Sequence, residues 1–183
     1  MISCKADYKV YLKADRKANR LNSKFSMLKS IQWKYLKRLR FSEYVINCIS
    51  DKYGLLGGVI KAFAMYRLRQ ISVKTGITIP PNTFGKGLYI PHYGCIVVNG
   101  SARFGDNCIV QCGVNVSEGV QCGDNIYLGA GAKLLINVRL QSGTIVGANA
   151  VVNKSFEESN IVLAGIPAKI VSNKGMLSGR KKI

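Results

Sequence analysis

The sequence predicts a mainly β protein: a parallel β-helix of triangular coils, preceded by an α-helical N-terminal region. Three observations predict it. A six-residue period runs from His92 onward, helix-like apolar spacing fills the chain before residue 76, and the positive charge is confined to the two ends.

The period is regular. Its first positions are His92, Val98, Phe104, Val110, Val116, Cys122, Leu128, Leu134, Leu140 and Val146. Its fifth positions are Ile96, Ala102, Cys108, Val114, Val120, Ile126, Ala132, Val138, Thr144 and Ala150. The first set is almost all bulky and apolar, and the second is small or β-branched. A period of six fits neither an amphipathic helix nor a two-sided strand. It fits a triangular coil with one hexad per side and eighteen residues per turn, stacked so that each coil supports the next. The first residue of each hexad then points into a narrow prism. Glycine recurs at the second position, at Gly105, Gly123, Gly129 and Gly147, where it is expected to allow corner conformations closed to other residues.

Before His92 the pattern slips. Phe84 starts a hexad, and His92 falls eight residues later instead of six. The stretch "GITIPPNT" reads as an entry coil. After Val152, "NKSFEESN" reads as an exit turn and "IVLAGIPAKIV" as a last extended segment. Upstream, residues 8–50 and 54–73 read as helices. The first places Ile31, Tyr35, Leu36, Leu39, Tyr44 and Ile46 on an apolar stripe, with Lys34, Lys37, Arg38 and Arg40 on a basic opposite face. The second, more apolar, is expected to cap the open bottom of the prism. Trp33, Tyr35 and Phe41 read as helix packing. These boundaries divide the chain into a helical basic region at 1–75, a β-helix domain at 76–171 and a basic tail at 172–183.

Charge and composition narrow the function. The net charge of +18 resembles a nucleic-acid signal until it is located. Residues 1–75 carry 17 Lys and Arg against 4 Asp and Glu, whereas 76–171 carry 6 against 5. A nucleic-acid module would stripe the regular region with base, so no nucleic acid is expected. Basic ends on a near-neutral body suit local contact with anions or a membrane surface, or else plain solvated helix faces. No segment has the apolar length of a membrane span and the N-terminus lacks a secretory pattern, so a cytoplasmic protein is expected. The six cysteines show no CxxC pair, so free thiols and no metal site are expected.

The stretches "FGKGLYIPHYGCIVVNG", "GDNIYLGAGAKLL" and "IVGANAVVNKSF…AGIPAKIV" resemble the hexapeptide-repeat acyltransferases, in their serine O-acetyltransferase-like branch. The resemblance covers roughly residues 76–171 and implies a left-handed parallel β-helix. The N-terminal helices look like those of capsule and surface-polysaccharide O-acetyltransferases in that branch. The resemblance further implies a homotrimer and acetyl-CoA as co-substrate in a groove between neighbouring prisms; the expected enzyme is bacterial and cytoplasmic, and its basic N-terminal helices would hold it peripherally at the inner membrane face.

His92 falls on the catalytic histidine of the family. It is the one histidine in the chain, and neutral imidazole can take a proton from a hydroxyl near pH 7. The alternative is a buried ring filling its coil, which would need a partner for each nitrogen. Pro91 and the slip beside His92 suggest that the backbone leaves the coil and turns the ring outward. A γ-type carbonic anhydrase, which shares the prism, needs three histidines and is excluded. On the cofactor side the resemblance selects Gly129, Gly131, Ala132, Gly147 and Ala150 as small residues along a pantetheine arm. It places Lys154 and Lys169 near the CoA phosphates, where both also read as ordinary solvated lysines. Tyr93 and Asn115 are the candidate acceptor contacts; Asn115 and Asn137 also read as residues bonded to their own coil.

The sequence departs from the serine enzymes at the acceptor. They carry aspartate directly before the histidine and a second histidine, after an arginine, in a loop breaking the later hexads. Here Pro91 precedes His92, and "VNVSEGVQCG" runs from Val114 to Gly123 with no loop, arginine or histidine. The usual carboxylate beside the histidine maps to Thr78, and Glu118 is a weaker substitute. A free amino acid needs partners for its ammonium and carboxylate when desolvated. The expected activity is therefore acetyl transfer to a hydroxyl of a bacterial surface glycan or its precursor, with serine acetylation at a reduced site as the alternative.

Overall fold

The structure, a computed structural model, describes residues 1–177. Of the basic tail expected at 172–183, residues 178–183 lie outside the described residues. The N-terminal region forms four helices: α1 (Lys5–Ala18), α2 (Lys24–Lys29), α3 (Ile31–Cys48) and α4 (Gly54–Thr75). The single helix expected over 8–50 is thus interrupted twice. Arg20 takes a left-handed φ of 55°, and Ser23 then caps α2 through reciprocal bonds with Ser26. Ser30 caps α3 by accepting the Trp33 amide.

Among the described residues thirteen short strands build the prism, numbered here in chain order. One face stacks β1 (Ile77–Thr78), β2 (Ile96–Val98), β5 (Asn115–Val116), β8 (Lys133–Leu134) and β11 (Val151–Val152). A second holds β3 (Arg103–Phe104), β6 (Gln121–Cys122) and β9 (Arg139–Leu140). The third holds β4 (Ile109–Val110), β7 (Tyr127–Leu128), β10 (Ile145–Val146), β12 (Val162–Gly165) and β13 (Ala168–Ser172). All ladders are parallel except the closing hairpin β12–β13. Asn115, Lys133 and Val151 stack at intervals of 18 residues, as the hexads require.

Nearly every first-position and fifth-position residue is buried, from Ile96 and Val98 through to Ala150 and Val152. Cys122 is half-buried, and His92 alone among the first positions is exposed. The second-position glycines owe their place to a different cause than corner conformation. Gly105, Gly123, Gly129 and Gly147 are absent from the residues with positive φ. Their constraint is the next coil: a Cβ on Gly129 would lie 2.7 Å from the Ala148 nitrogen and 2.8 Å from the Gly147 carbonyl carbon. Left-handed corner residues are instead Gly113, Gly131, Asn137 and Asn149, among others.

The helices and the prism share one apolar core, which runs from Trp33, Tyr35, Leu36 and Leu39 through Ile77, Ile79, Leu88 and Ile90 into the coils. Helix α3 closes the prism together with α4, whose Leu68 and Ile71 belong to the same core. The Tyr35 hydroxyl donates to the Ile79 carbonyl at 3.2 Å and accepts the Ile79 amide at 3.0 Å. Helix α4 packs on α3 through Ala64, Leu68 and Ile71, and its other side faces outward. Trp33 and Tyr35 are buried as expected of packing residues, whereas Phe41 is exposed.

Arg40 departs from the basic face expected of α3, because it is wholly buried while Lys34 and Lys37 are exposed. Its Nε donates to Asp15 Oδ2 at 2.7 Å and its Nη1 to both oxygens of Glu43 at 3.0–3.1 Å. The remaining donors reach the carbonyls of Phe84 at 2.9 Å and Gly85 at 2.6 Å. Burial alone would depress the Arg40 pKa, but the two carboxylates more than reverse that and hold it protonated. A buried charge with every donor satisfied ties α1 and α3 to the entry coil.

Candidate active site

The segment from Tyr89 to Val97 explains why His92 stands apart. Tyr89 pairs with Ile109, and Val97 with Asn115. Between these pairs the first coil therefore takes eight positions where the coil above takes six. A triangular coil cannot absorb two extra residues inside, so "IPHYGC" bulges from the corner. Ile90 and Ile96 keep the bulge anchored in the core, while His92, Tyr93 and Cys95 are exposed between them. The sequence slip and the outward histidine are one feature.

The bulge is held from the helices. Asp15 Oδ1 accepts the amides of Gly87 at 2.7 Å and Leu88 at 2.9 Å. Asn19 donates through Nδ2 to the Leu88 carbonyl at 2.8 Å and accepts the Ile90 amide at 3.3 Å. Gln32 Nε2 donates to the Pro91 carbonyl at 3.2 Å, one residue from the histidine. At the other end the Gly94 amide donates to Thr75, the last residue of α4. Sequence reasoning missed Asp15, Asn19 and Gln32, because each bonds backbone 59 to 73 residues away. The one available signal was a second acidic residue, after Asp7, in a helix otherwise rich in lysine and arginine.

Above the bulge runs a column of small residues. A Cβ on Gly94 would lie 3.6 Å from the Cβ of Cys112. The Gly131 amide donates to the Cys112 carbonyl, and the Asn149 amide to the Ala130 carbonyl, at 2.9 and 2.8 Å. Gly94, Cys112, Ala130 and Ala148 thus mark one corner of the prism on four successive coils, three steps that span roughly 14 Å at ordinary strand spacing. Ala130 and Ala148 are exposed there. Beside this corner lies the outer face of the first sheet, where Thr78, Val97, Asn115 and Lys133 are all exposed and stacked in register. No acidic residue is among them.

The expected cofactor residues distribute unevenly. Gly129, Gly131 and Gly147 belong to the small-residue corner. Ala132 and Ala150 are buried, so their side chains fill the prism and offer only backbone to a ligand. Lys169 pairs with Ala164 in the closing hairpin, near the top of the same corner. Lys154 follows β11 on the far side of the face, with its ammonium 5.5 Å from the centre of the Phe156 ring. Asn137 and Glu118 also lie at that other corner. Among the described residues, no group of three or more His, Cys, Asp or Glu side chains comes together to hold a metal.

The geometry is that of the hexapeptide-repeat β-helix with N-terminal helices, and the comparisons with known proteins agree. No family model matches the chain. A serine acetyltransferase of Staphylococcus aureus is 35% identical over 115 residues, covering 58% of this chain and 54% of the relative. The chain thus spans about half the length of the curated relatives it matches. The crystal structure of Neisseria gonorrhoeae serine acetyltransferase in complex with serine superposes with a TM-score of 0.72 at 25% identity, covering 92% of this chain and 70% of that one. A Brucella abortus serine acetyltransferase in complex with coenzyme A gives 0.75 at 24% identity, covering 94% and 70%.

Proposed function

We propose that this chain is an acetyl-CoA-dependent O-acetyltransferase in which His92 is the general base. One observation carries the reading: the sole histidine is pushed out of the repeat and stands at the foot of a continuous small-residue corner. A thin thiol arm laid along that corner brings its thioester to the imidazole. The imidazole takes the proton of an acceptor hydroxyl as the oxygen attacks the thioester carbonyl. The C–S bond breaks, and the CoA thiolate takes the proton from the imidazolium. The products are an acetyl ester and free CoA. The Brucella abortus protein of this fold, solved with coenzyme A, supports the co-substrate.

L-Serine is the acceptor best supported, because the relatives are named serine acetyltransferases and one was solved with serine. A sugar hydroxyl of a surface glycan is the second reading. It is favoured by the absence of a carboxylate among Thr78, Val97, Asn115 and Lys133, and by an unbroken coil from Val114 to Gly123. On this reading three copies associate so that a neighbouring prism completes the groove, and the reaction runs in the cytoplasm with acetyl-CoA. On this reading Tyr93 touches the acceptor, and Lys169 the CoA phosphates.

Thiol release from acetyl-CoA, measured with L-serine, nucleotide sugars and oligosaccharides in parallel, tests the proposal. Release with L-serine supports the first acceptor, and release with sugars alone supports the second. No release with any hydroxyl acceptor overturns the activity.

A further inference from the structure

We propose that α4 is a docking face for an anionic phospholipid surface, on which the protein lies without crossing it. At 3.6 residues per turn, Gly57, Ala64, Leu68, Ile71 and Thr75 share one side of this helix, and they are its buried residues. Leu55, Leu56, Val59, Phe63, Tyr66 and Val73 share the opposite side and are exposed, Leu55 at 90% and Val73 at 80%. A helix apolar on both sides is ordinarily covered on both. Here only one of them is covered, by α3 and the core it shares with the prism. An exposed apolar patch of this size on a soluble domain marks an interaction surface.

Charge identifies the occupant. Helix α4 carries Lys61, Arg67, Arg69 and Lys74 and no acidic residue. Arg67 and Arg69 flank the apolar side, and the Arg67 guanidinium stands 5.5 Å from the centre of the Phe63 ring. Next to it, a cleft of about 480 Å³ between α3 and α4 is lined by Ile31, Lys34, Arg38, Gln70, Ile71 and Lys74. None of its three cations takes part in the ion pairs found among the described residues. Over residues 31–75 the acids are Glu43, buried against Arg40, and Asp51. A second copy packed face to face about a twofold axis would set Arg67, Arg69 and Lys74 against their own counterparts with no carboxylate to pair. A bilayer with acidic headgroups satisfies both halves: acyl-chain boundary for the apolar side, phosphates for the cleft. Among the described residues no helix is long and apolar enough to cross a membrane.

The test is flotation of the full chain with vesicles of phosphatidylcholine alone, or with an equal amount of phosphatidylglycerol. The expected result is recovery with the phosphatidylglycerol vesicles at low salt, weakening at high salt, and none with phosphatidylcholine alone. The double variant Arg67→Gln, Lys74→Gln should lose about thirtyfold in partitioning. Phe63→Ser should lose binding independently, with thermal melting confirming that both variants fold. Failure of the unaltered chain to float with phosphatidylglycerol vesicles overturns the proposal. So does full competition by inorganic phosphate at matched ionic strength, which would indicate a soluble-anion site. Self-association abolished by Phe63→Ser, without vesicle binding, would assign the face to a second copy instead. None of these outcomes depends on acetyl transfer.

Discussion

Asp15 Oδ1 accepts the backbone amide of Gly87 at 2.7 Å, joining the first helix to the coil that carries the histidine. The same oxygen takes the Leu88 amide, and Oδ2 faces the buried Arg40. The helical region is therefore part of the scaffold of the site.

Replacing Asp15 by alanine would leave the Arg40 charge buried with one carboxylate fewer. The expected loss is about 3–5 kcal/mol, the usual cost of breaking a buried ion pair from one side. Urea denaturation should show it as a lower midpoint. An unchanged midpoint would mean that the Asp15–Arg40–Glu43 cluster contributes little to holding the helices on the prism.

Two glycines should respond in opposite directions. Gly129→Ala would push a Cβ against the backbone of Ala148 and Gly147 and is expected to destabilise by about 1–3 kcal/mol. Gly58→Ala, on the exposed side of α4 with nothing within 4 Å, should stabilise by about 0.5–1 kcal/mol. Thermal melting of the pair checks both signs.

Tyr35 makes stability sensitive to alkali. Burial raises its hydroxyl from 10.0 to about 12, partly offset by its hydrogen bond with Ile79. The folded value is above the unfolded one, so this contribution is complete below pH 10 and is lost as pH rises through about 12. It amounts to about 2–3 kcal/mol. Tyr35→Phe should flatten that part of the pH–stability curve while lowering stability at neutral pH by about 1–3 kcal/mol, because the Ile79 amide loses its acceptor.

Gln32 positions the histidine bulge through the Pro91 carbonyl. Gln32→Ala should lower kcat by about threefold to tenfold, the worth of one hydrogen bond, with little change in melting temperature. A fall in melting temperature with kcat intact would make Gln32 a stability residue only.

The prism was legible because its physics repeats: one narrow apolar interior selects the same residue sizes ten times over. The exposure of His92 was legible for the same reason, since a two-residue slip in a strict period has to emerge somewhere. Arg40 was not legible. In a helix rich in lysine and arginine nothing local distinguishes the one guanidinium that turns inward to meet Asp15. The grip of Asn19 and Gln32 on the bulge was hidden likewise, because ordinary amide side chains reveal a role only once distant backbone is beside them. The glycines at 105, 123, 129 and 147 were located correctly for a mistaken reason. The space they vacate belongs to the next coil, which a one-dimensional pattern does not contain.

The most direct test is the turnover of His92→Ala, measured as CoA release with whichever acceptor the unaltered chain uses. Because His92 is exposed and leaves the core untouched, melting temperature and CoA binding should be retained while turnover falls by about a hundredfold or more. Turnover within about tenfold of the unaltered chain would contradict the role of the imidazole as general base.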